Sequence, residues 1–385
     1  MLILKLILKN AFRSKLRSTL TITGLTLAII AFGFLRTVVE AWYAGVEASS
    51  ASRLVTRNSI SLVFRLPIAY KEKIRQIEGV ETVSYGNWFG GIYIDQKNFF
   101  ANFAVEPKSY LELYPEYIIP EEQKKAFLKD KKGAVAGKKL VERFGWKIGD
   151  NITLKGTIYP GNWEFVLKGI YKGRDKTTDE SQFFFHWDYL NETLKKAAPD
   201  MGDLIGFYLI GVNDPRFAVT VSEKIDQTFK NSLAETMTET ERSFQLSFIY
   251  MTEAILIVIQ LVSLIVIIII LAVVANTMAM SVRERLAEFA VLKTIGFGGW
   301  RITFLIFGES LIITSIGCIL GIILTFPAAN AFANEMGNYF PVFIITKETI
   351  CLDILVSFFI GIIAATLPAI RATRVQIAEN LTRVR

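Results

Sequence analysis

The segment GAVAGKKL, residues 133–140, sets glycines and a lysine in the order of a phosphate-binding loop. Such a loop needs G-x-x-x-x-G-K-[ST], whose backbone amides cradle phosphates while the lysine and hydroxyl hold charge and magnesium. Here Gly133 and Gly137 stand one residue too close, and Lys139 occupies the hydroxyl's place. The segment is a decoy, and the chain holds no nucleotide of its own. His186 is the only histidine, set among Phe183, Phe184, Phe185 and Trp187. One histidine without cysteines or carboxylates at ligand spacing builds no metal site, so a buried structural role is expected. Cys318 and Cys351 both fall in long apolar runs, where they read as inert small residues. Without G-x-S-x-G or an acid/base pair, nothing in the chain asks for an enzyme or a bound cofactor.

The most informative polar segment is SVRERLAEFAVLKTIGFGGWRI, residues 281–302. Arg283, Glu284, Arg285 and Glu288 precede Phe289, with Lys293 near the end and Gly296 as a stop. That pattern predicts a short amphipathic helix with a charged first part and a glycine terminus. A partner could receive it in a groove through Leu286, Phe289 and Leu292, with the charges around the rim. The bland alternative is a helical turn on a membrane surface.

The elements that must hold this segment are apolar. Ala254–Ala275 carries no charge and has only Gln260 and Ser263 as polar breaks. At 1.5 Å per residue it reaches about 33 Å, roughly the thickness of a bilayer's hydrocarbon core. Thr19–Val39, Ile302–Phe326 and Ile350–Ile370 have the same character, and the whole chain is 52% hydrophobic with a mean hydropathy of +0.38. Four membrane spans are predicted, at 18–39, 248–275, 302–327 and 348–370. Lys5, Lys9, Arg13, Lys15 and Arg17 precede the first with no acid, and Arg283, Arg285, Lys293 and Arg301 cluster between the second and third. The tail adds Arg371, Arg374, Arg383 and Arg385, whereas 328–347 holds one Lys and one Glu. The positive-inside rule therefore places both termini and the 276–301 loop in the cytoplasm, and residues 40–247 and 328–347 outside it. These cations flank spans, which dismisses a nucleic-acid partner and leaves membrane lipid. The first apolar run exceeds the 7–15 residues of a signal-peptide core, which favours an uncleaved anchor. Residues 1–17, with cations between apolar positions, suit an amphipathic helix along the inner membrane face; a flexible basic flank is the alternative.

Residues 40–247 suffice for a self-standing domain. The pattern predicts a helical continuation over Glu40–Thr56, a strand at Ser59–Phe64, a helix over Pro67–Glu78 and a strand at Val80–Trp88. Their partners come late: a strand at Leu204–Val212 and a helix from Pro215 to about Asn231. The insertion, about 112–200, reads as strands at Ala134–Gly137, Asn151–Lys155, Phe165–Tyr171 and Phe183–His186, with a helix at Lys138–Phe144. A split βαβ layer with a mainly β insertion is the economical architecture. Apolar residues every fourth position from Phe217 to Met237 allow one long helix over Arg216–Tyr250, which with the first span's extension would make a stalk.

Polar residues inside spans are costly. Glu309 in the third span is expected to face another helix, and Glu253 to be interfacial. Gly317 and Gly321 form G-x-x-x-G, which permits close helix approach, either in a dimer or within one chain.

Together these segments resemble the ABC transporter permeases of MacB/FtsX type. Glu288, Ala290, Leu292, Lys293, Ile295 and Gly296 fit that family's E-x-A-x-L-K/R-x-I/L-G pattern. Asn10, Arg13, Lys15, Arg17 and Gly24 look like its first helix, and Pro368, Ala369, Arg371, Ala372, Arg374 and Leu381 its closure. GVETVS (79–84) and GWKIGD (145–150) are similar to signatures of its large domain. The resemblance implies an α-helical membrane protein with an α/β extracytoplasmic domain inserted between helices 1 and 2. It implies a subunit of a bacterial inner-membrane dimer, or of a pair with a close homologue, whose loop helix docks on a separate cytoplasmic ATPase carrying the ATP and magnesium. Mechanotransmission for efflux or lipoprotein traffic, with a periplasmic adaptor, is the implied function; a regulator of an envelope protein that transports nothing is the alternative. Only 17 residues precede the first span, so a fused N-terminal ATPase is not expected. Residues 371–385 are read as a cytoplasmic tail.

Overall fold

The computed structural model describes residues 2–336, 340 and 342–374; Leu381 of the closing motif and the tail beyond Arg374 lie outside the described residues. Two compact units divide the chain, with boundaries at Ala41/Trp42, Thr252/Glu253, Glu335/Met336 and Val342/Phe343.

The helical unit holds four helices long and apolar enough to cross a membrane: the first span (Lys15–Ala48), the second (Glu253–Glu284), the third (Gly299–Met336) and the fourth (Lys347–Thr373). A helix at Leu2–Ala11 precedes them. The second span starts later than the expected 248, because Thr252 breaks it from a separate helix, Glu241–Met251. The third runs through Pro327 to Met336, so much of 328–347 is helix rather than loop. The continuation AANAFANEM explains this, since its alanines favour helix.

Small residues set the packing. A Cβ on Gly317 would lie 2.7 Å from Leu25 Cδ2, and one on Gly321 would lie 2.6 Å from Ile29 Cβ. The glycine pair is thus used within the chain, against the first span. Ser310 Oγ donates to the Gly361 carbonyl at 2.7 Å and Ser357 Oγ to that of Thr314 at 3.0 Å, which stitches the third span to the fourth. Ile270, Val274, Met278 and Val282, spaced by four residues, put one stripe of the second span into the core. Glu253 is exposed. Asp353 is buried against Gly33, and its Oδ1 has no hydrogen-bond partner among the described residues.

The other unit is built on a mixed sheet. In chain order its strands are β1 (Arg53–Asn58), β2 (Leu66–Pro67), β3 (Val80–Trp88), β4 (Gly91–Ile92), β5 (Asn102–Val105), β6 (Tyr117–Ile118), β7 (Gly133–Gly137), β8 (Asn151–Gly156), β9 (Gly161–Gly173), β10 (Phe183–His186), β11 (Leu204–Ile205), β12 (Phe207–Val212) and β13 (Thr236–Thr240). The main sheet runs β13-β1-β12-β3-β5-β10-β7-β9-β8-β4, with β6 on β9 and a separate β2–β11 pair. Alternation along the strands feeds two cores on opposite faces: Leu54, Ala134, Phe183 and Phe185 enter one, and Val55, Val135 and Phe184 the other. The insertion extends this sheet through the parallel pairing of β5 with β10.

A buried clasp ties the chain's entry into this domain to its exit. Glu241, first residue of the Glu241–Met251 helix, accepts from the Ser50 amide and Arg53 Nε, both at 2.8 Å, and from the Tyr114 hydroxyl at 3.0 Å. Arg53 Nη2 also pairs with Glu116 at 2.7 Å.

Three local expectations are corrected. The first-span helix stops at Ala48, and the strand lies at Arg53–Asn58 instead of Ser59–Phe64. Arg53–Asn58 wins because its side chains reach both cores and it pairs on both sides, with β12 and β13. The single helix over Arg216–Tyr250 is replaced by a helix at Ala218–Thr228, strand β13 and the Glu241–Met251 helix. Asn231 turns the chain at φ +60°, and Asp226 accepts from the Thr236 and Thr238 hydroxyls, which holds the threonines as strand. The helix expected over Pro67–Glu78 is only Tyr70–Arg75.

Candidate functional site

The loop segment folds as a helix over Leu286–Thr294, one residue beyond the end of the second span. Gly296, at φ +94°, terminates it: its amide donates to the Lys293 carbonyl at 3.1 Å and that of Phe297 to Leu292 at 3.0 Å. This is the Schellman arrangement, which needs a left-handed residue at that position.

The predicted contact residues divide sharply. Arg283 and Glu284 are exposed and belong to the last turn of the second span. Arg285 is buried: its Nη1 pairs with Glu309 Oε2 at 2.7 Å, its Nε faces Glu288 Oε2 at 3.3 Å, and its guanidinium lies 5.1 Å from the Phe289 ring centre. Glu309 also accepts from Ser281 Oγ at 2.9 Å, the helix-facing structural bond expected of it. Phe289 is fully buried, and Leu286 and Leu292 pack against the same membrane-helix core. Lys293 Nζ donates to the Thr373 carbonyl at 2.7 Å. Arg285, Phe289 and Lys293 therefore bind the helix to its own bundle; Phe289 is taken up there, while Leu286 and Leu292 stay half-buried.

The exposed apolar residues are others: Val291 and Ile295, one turn apart, and Trp300 at 78% exposure. Their spacing was the available signal. The amino-terminal segment was also missed. Arg13 pairs with Glu288, and Arg17 Nη1 with Glu284 Oε2 at 2.8 Å. Partial burial works against the Glu288 charge, but hydrogen bonds from Arg13 and Arg285 hold its carboxyl below the ordinary value. The loop helix is thus braced by the third span, the fourth span and the residues before the first.

In the α/β domain, His186 is buried and its Nε2–H donates to the Phe127 carbonyl at 2.7 Å. Burial lowers its pKa despite that bond. No cluster of metal-ligating side chains occurs among the described residues. Gly137 of the false phosphate loop ends β7, where a Cβ would lie 1.9 Å from the Glu180 carbonyl. Close backbone packing, not phosphate, requires that glycine.

Four apolar helices and an α/β domain between the first and second in sequence define a polytopic membrane protein with one large insertion. Residues 260–377 match the family of FtsX-like permease C-terminal regions. The ABC transporter permease MJ1507 of Methanocaldococcus jannaschii is 25% identical over 402 residues, covering 97% of this chain and 96% of that one. The macrolide export ATP-binding/permease protein MacB of Campylobacter jejuni is 33% identical over 110 residues, which take in 29% of this chain and 17% of that protein. The periplasmic region of MacB from Actinobacillus actinomycetemcomitans aligns over 53% of this chain and 95% of that structure, at 8% identity and a TM-score of 0.38. Residues 260–377 thus carry an FtsX-like permease C-terminal region, and over nearly its whole length the chain is similar to ABC transporter permeases.

Proposed function

We propose that this chain couples ATP hydrolysis by a separate cytoplasmic ATPase to movement of its extracytoplasmic α/β domain. The observation that carries this reading is the loop helix, held from within by Arg285, Phe289 and Lys293, with Val291 exposed on it, Ile295 exposed at its end and Trp300 exposed in the first turn of the third span. Exposed apolar side chains on and just after a short helix suit a groove on a partner, and a braced helix passes displacement on instead of absorbing it. The rods are the first-span helix, which runs on to Ala48, and the Glu241–Met251 helix before the second span. ATP and magnesium belong to the partner. A second permease copy completes the assembly, and since the glycine pair is taken up within the chain, that copy packs on another face. An extracytoplasmic adaptor is the further component this reading expects.

The test is co-purification with the partner ATPase. Ile295→Asp and Trp300→Asp are expected to release the ATPase while leaving the permease folded. Leu292→Asp is expected to release it only by unsettling the bundle. A complex with intact ATPase stimulation in Ile295→Asp and Trp300→Asp would refute the assignment of this surface.

A further inference from the structure

The residues before the first span divide their cations between two tasks. Arg13 and Arg17 are engaged by the loop carboxylates Glu288 and Glu284. Lys5, Lys9 and Lys15 are exposed and make no ion pair among the described residues, and no acid occurs in residues 1–17. The Leu2–Ala11 helix seats Ile7 and Ala11 in the bundle; a Cβ on Gly308 of the third span would lie 2.7 Å from Ile7 Cδ1. At 100° per residue, Lys5 and Lys9 occupy the arc turned away from that contact, and Leu8 lies to its side. Leu8, Phe12 and Leu16 are 45%, 42% and 76% exposed. Three exposed apolar side chains, one on this helix, one just after it and one in the first turn of the first-span helix, thus lie among cations that no carboxylate of the described residues pairs with. Lys15 opens the first-span helix, which ties this segment to the end of a membrane-spanning rod.

From this juxtaposition we infer that residues 5–16 form a binding surface for anionic phospholipid. Leu8, Phe12 and Leu16 enter the boundary between headgroups and acyl chains, and the three ammonium groups meet lipid phosphates. Charge complementarity selects the anionic lipid, since a zwitterionic headgroup carries its own cation. The inference stands apart from the coupling function, but it has a consequence there: Arg13 sits in the same segment, so a lipid-seated helix steadies Glu288 and the loop helix.

The experiment is amide hydrogen exchange on the full chain in nanodiscs of phosphatidylcholine alone and of phosphatidylcholine with phosphatidylglycerol. Exchange at residues 5–16 is expected to slow by about tenfold or more with the anionic lipid. In Lys5→Gln/Lys9→Gln/Lys15→Gln that gain should vanish while the four spans keep their protection. Equal exchange of the wild-type chain in the two compositions overturns the proposal, whatever the variant does. An equal gain from inorganic phosphate added to phosphatidylcholine discs also overturns it, because the lysines would then answer to a soluble anion.

Discussion

Glu309→Leu is expected to be among the most damaging single changes in the helical unit. The paired Arg285 and Glu309 side chains are only 9% and 6% exposed, so removing one leaves a charge that water cannot reach. Breaking a buried pair from one side costs about 3–5 kcal/mol. Glu288, 3.3 Å from Arg285 Nε, remains as a second partner and sets the expectation near the low end, about 3 kcal/mol. Glu309→Gln keeps shape and hydrogen bonding to Ser281 and Arg285 but loses the charge, and should cost about 1–3 kcal/mol. Glu309→Leu with Arg285→Met removes both charges and should recover most of the loss, giving a coupling energy of about 2–3 kcal/mol. The Arg13–Glu288 pair is the internal control: at 60% and 43% exposure, the same cycle should return less than about 1 kcal/mol. Chemical unfolding of the full chain in detergent micelles, followed by helical circular dichroism, measures all four corners. A Glu309→Leu protein within about 0.5 kcal/mol of wild type, or a cycle without coupling, would refute the reasoning.

Further outcomes follow from other contacts. Gly321→Val is expected to force the third span off the first, because even a Cβ there would lie 2.6 Å from Ile29 Cβ and 3.2 Å from the Thr26 carbonyl; thermal unfolding of the full chain should show a clear loss, and an unchanged midpoint would mean the helices do not meet there. Phe289→Ala empties a fully buried site and should cost about 3–5 kcal/mol, releasing the loop helix to limited proteolysis before the spans unfold. His186 has a folded pKa below its ordinary 6.5, so the unfolded chain binds the extra proton first: its contribution is present above that value and is lost as pH falls below it. Trp88, Trp146, Trp163 and Trp187, four of the six tryptophans, lie in the α/β domain, so intrinsic fluorescence reports that loss, and His186→Gln should flatten it.

The spans were legible because some twenty mostly apolar residues with at most one charge have few other uses, and the strands Val80–Trp88 and Phe183–His186 because they alternate or run aromatic between clear breaks. Phe183, Phe184 and Phe185 fill both faces of a sheet covered on both sides, where periodicity is silent but length decides. The strand Arg53–Asn58 was hidden because its two arginines, Arg53 and Arg57, look like solvent-facing residues, whereas Arg53 is buried by Glu116 and Glu241, far off in sequence. Strand β13 was hidden for a related reason: its threonines fit a helix until Asp226 claims their hydroxyls. At the loop helix, the charges and glycine stop were readable, but the allocation of Phe289 and Arg285 was not. It depends on Glu309, which no local pattern links to them.

The parallel pairing of Asn102–Val105 with Phe183–His186 fixes how the α/β domain can respond to a push. A hinge between its two halves would have to tear a hydrogen-bonded ladder and open both apolar layers at once, whereas swinging the whole slab leaves every rung intact. Under the proposed coupling, a torque delivered where the chain enters and leaves, at Arg53 and Glu241, would move the sheet as one piece, with an amplitude at the distant edge that grows with the width of the sheet.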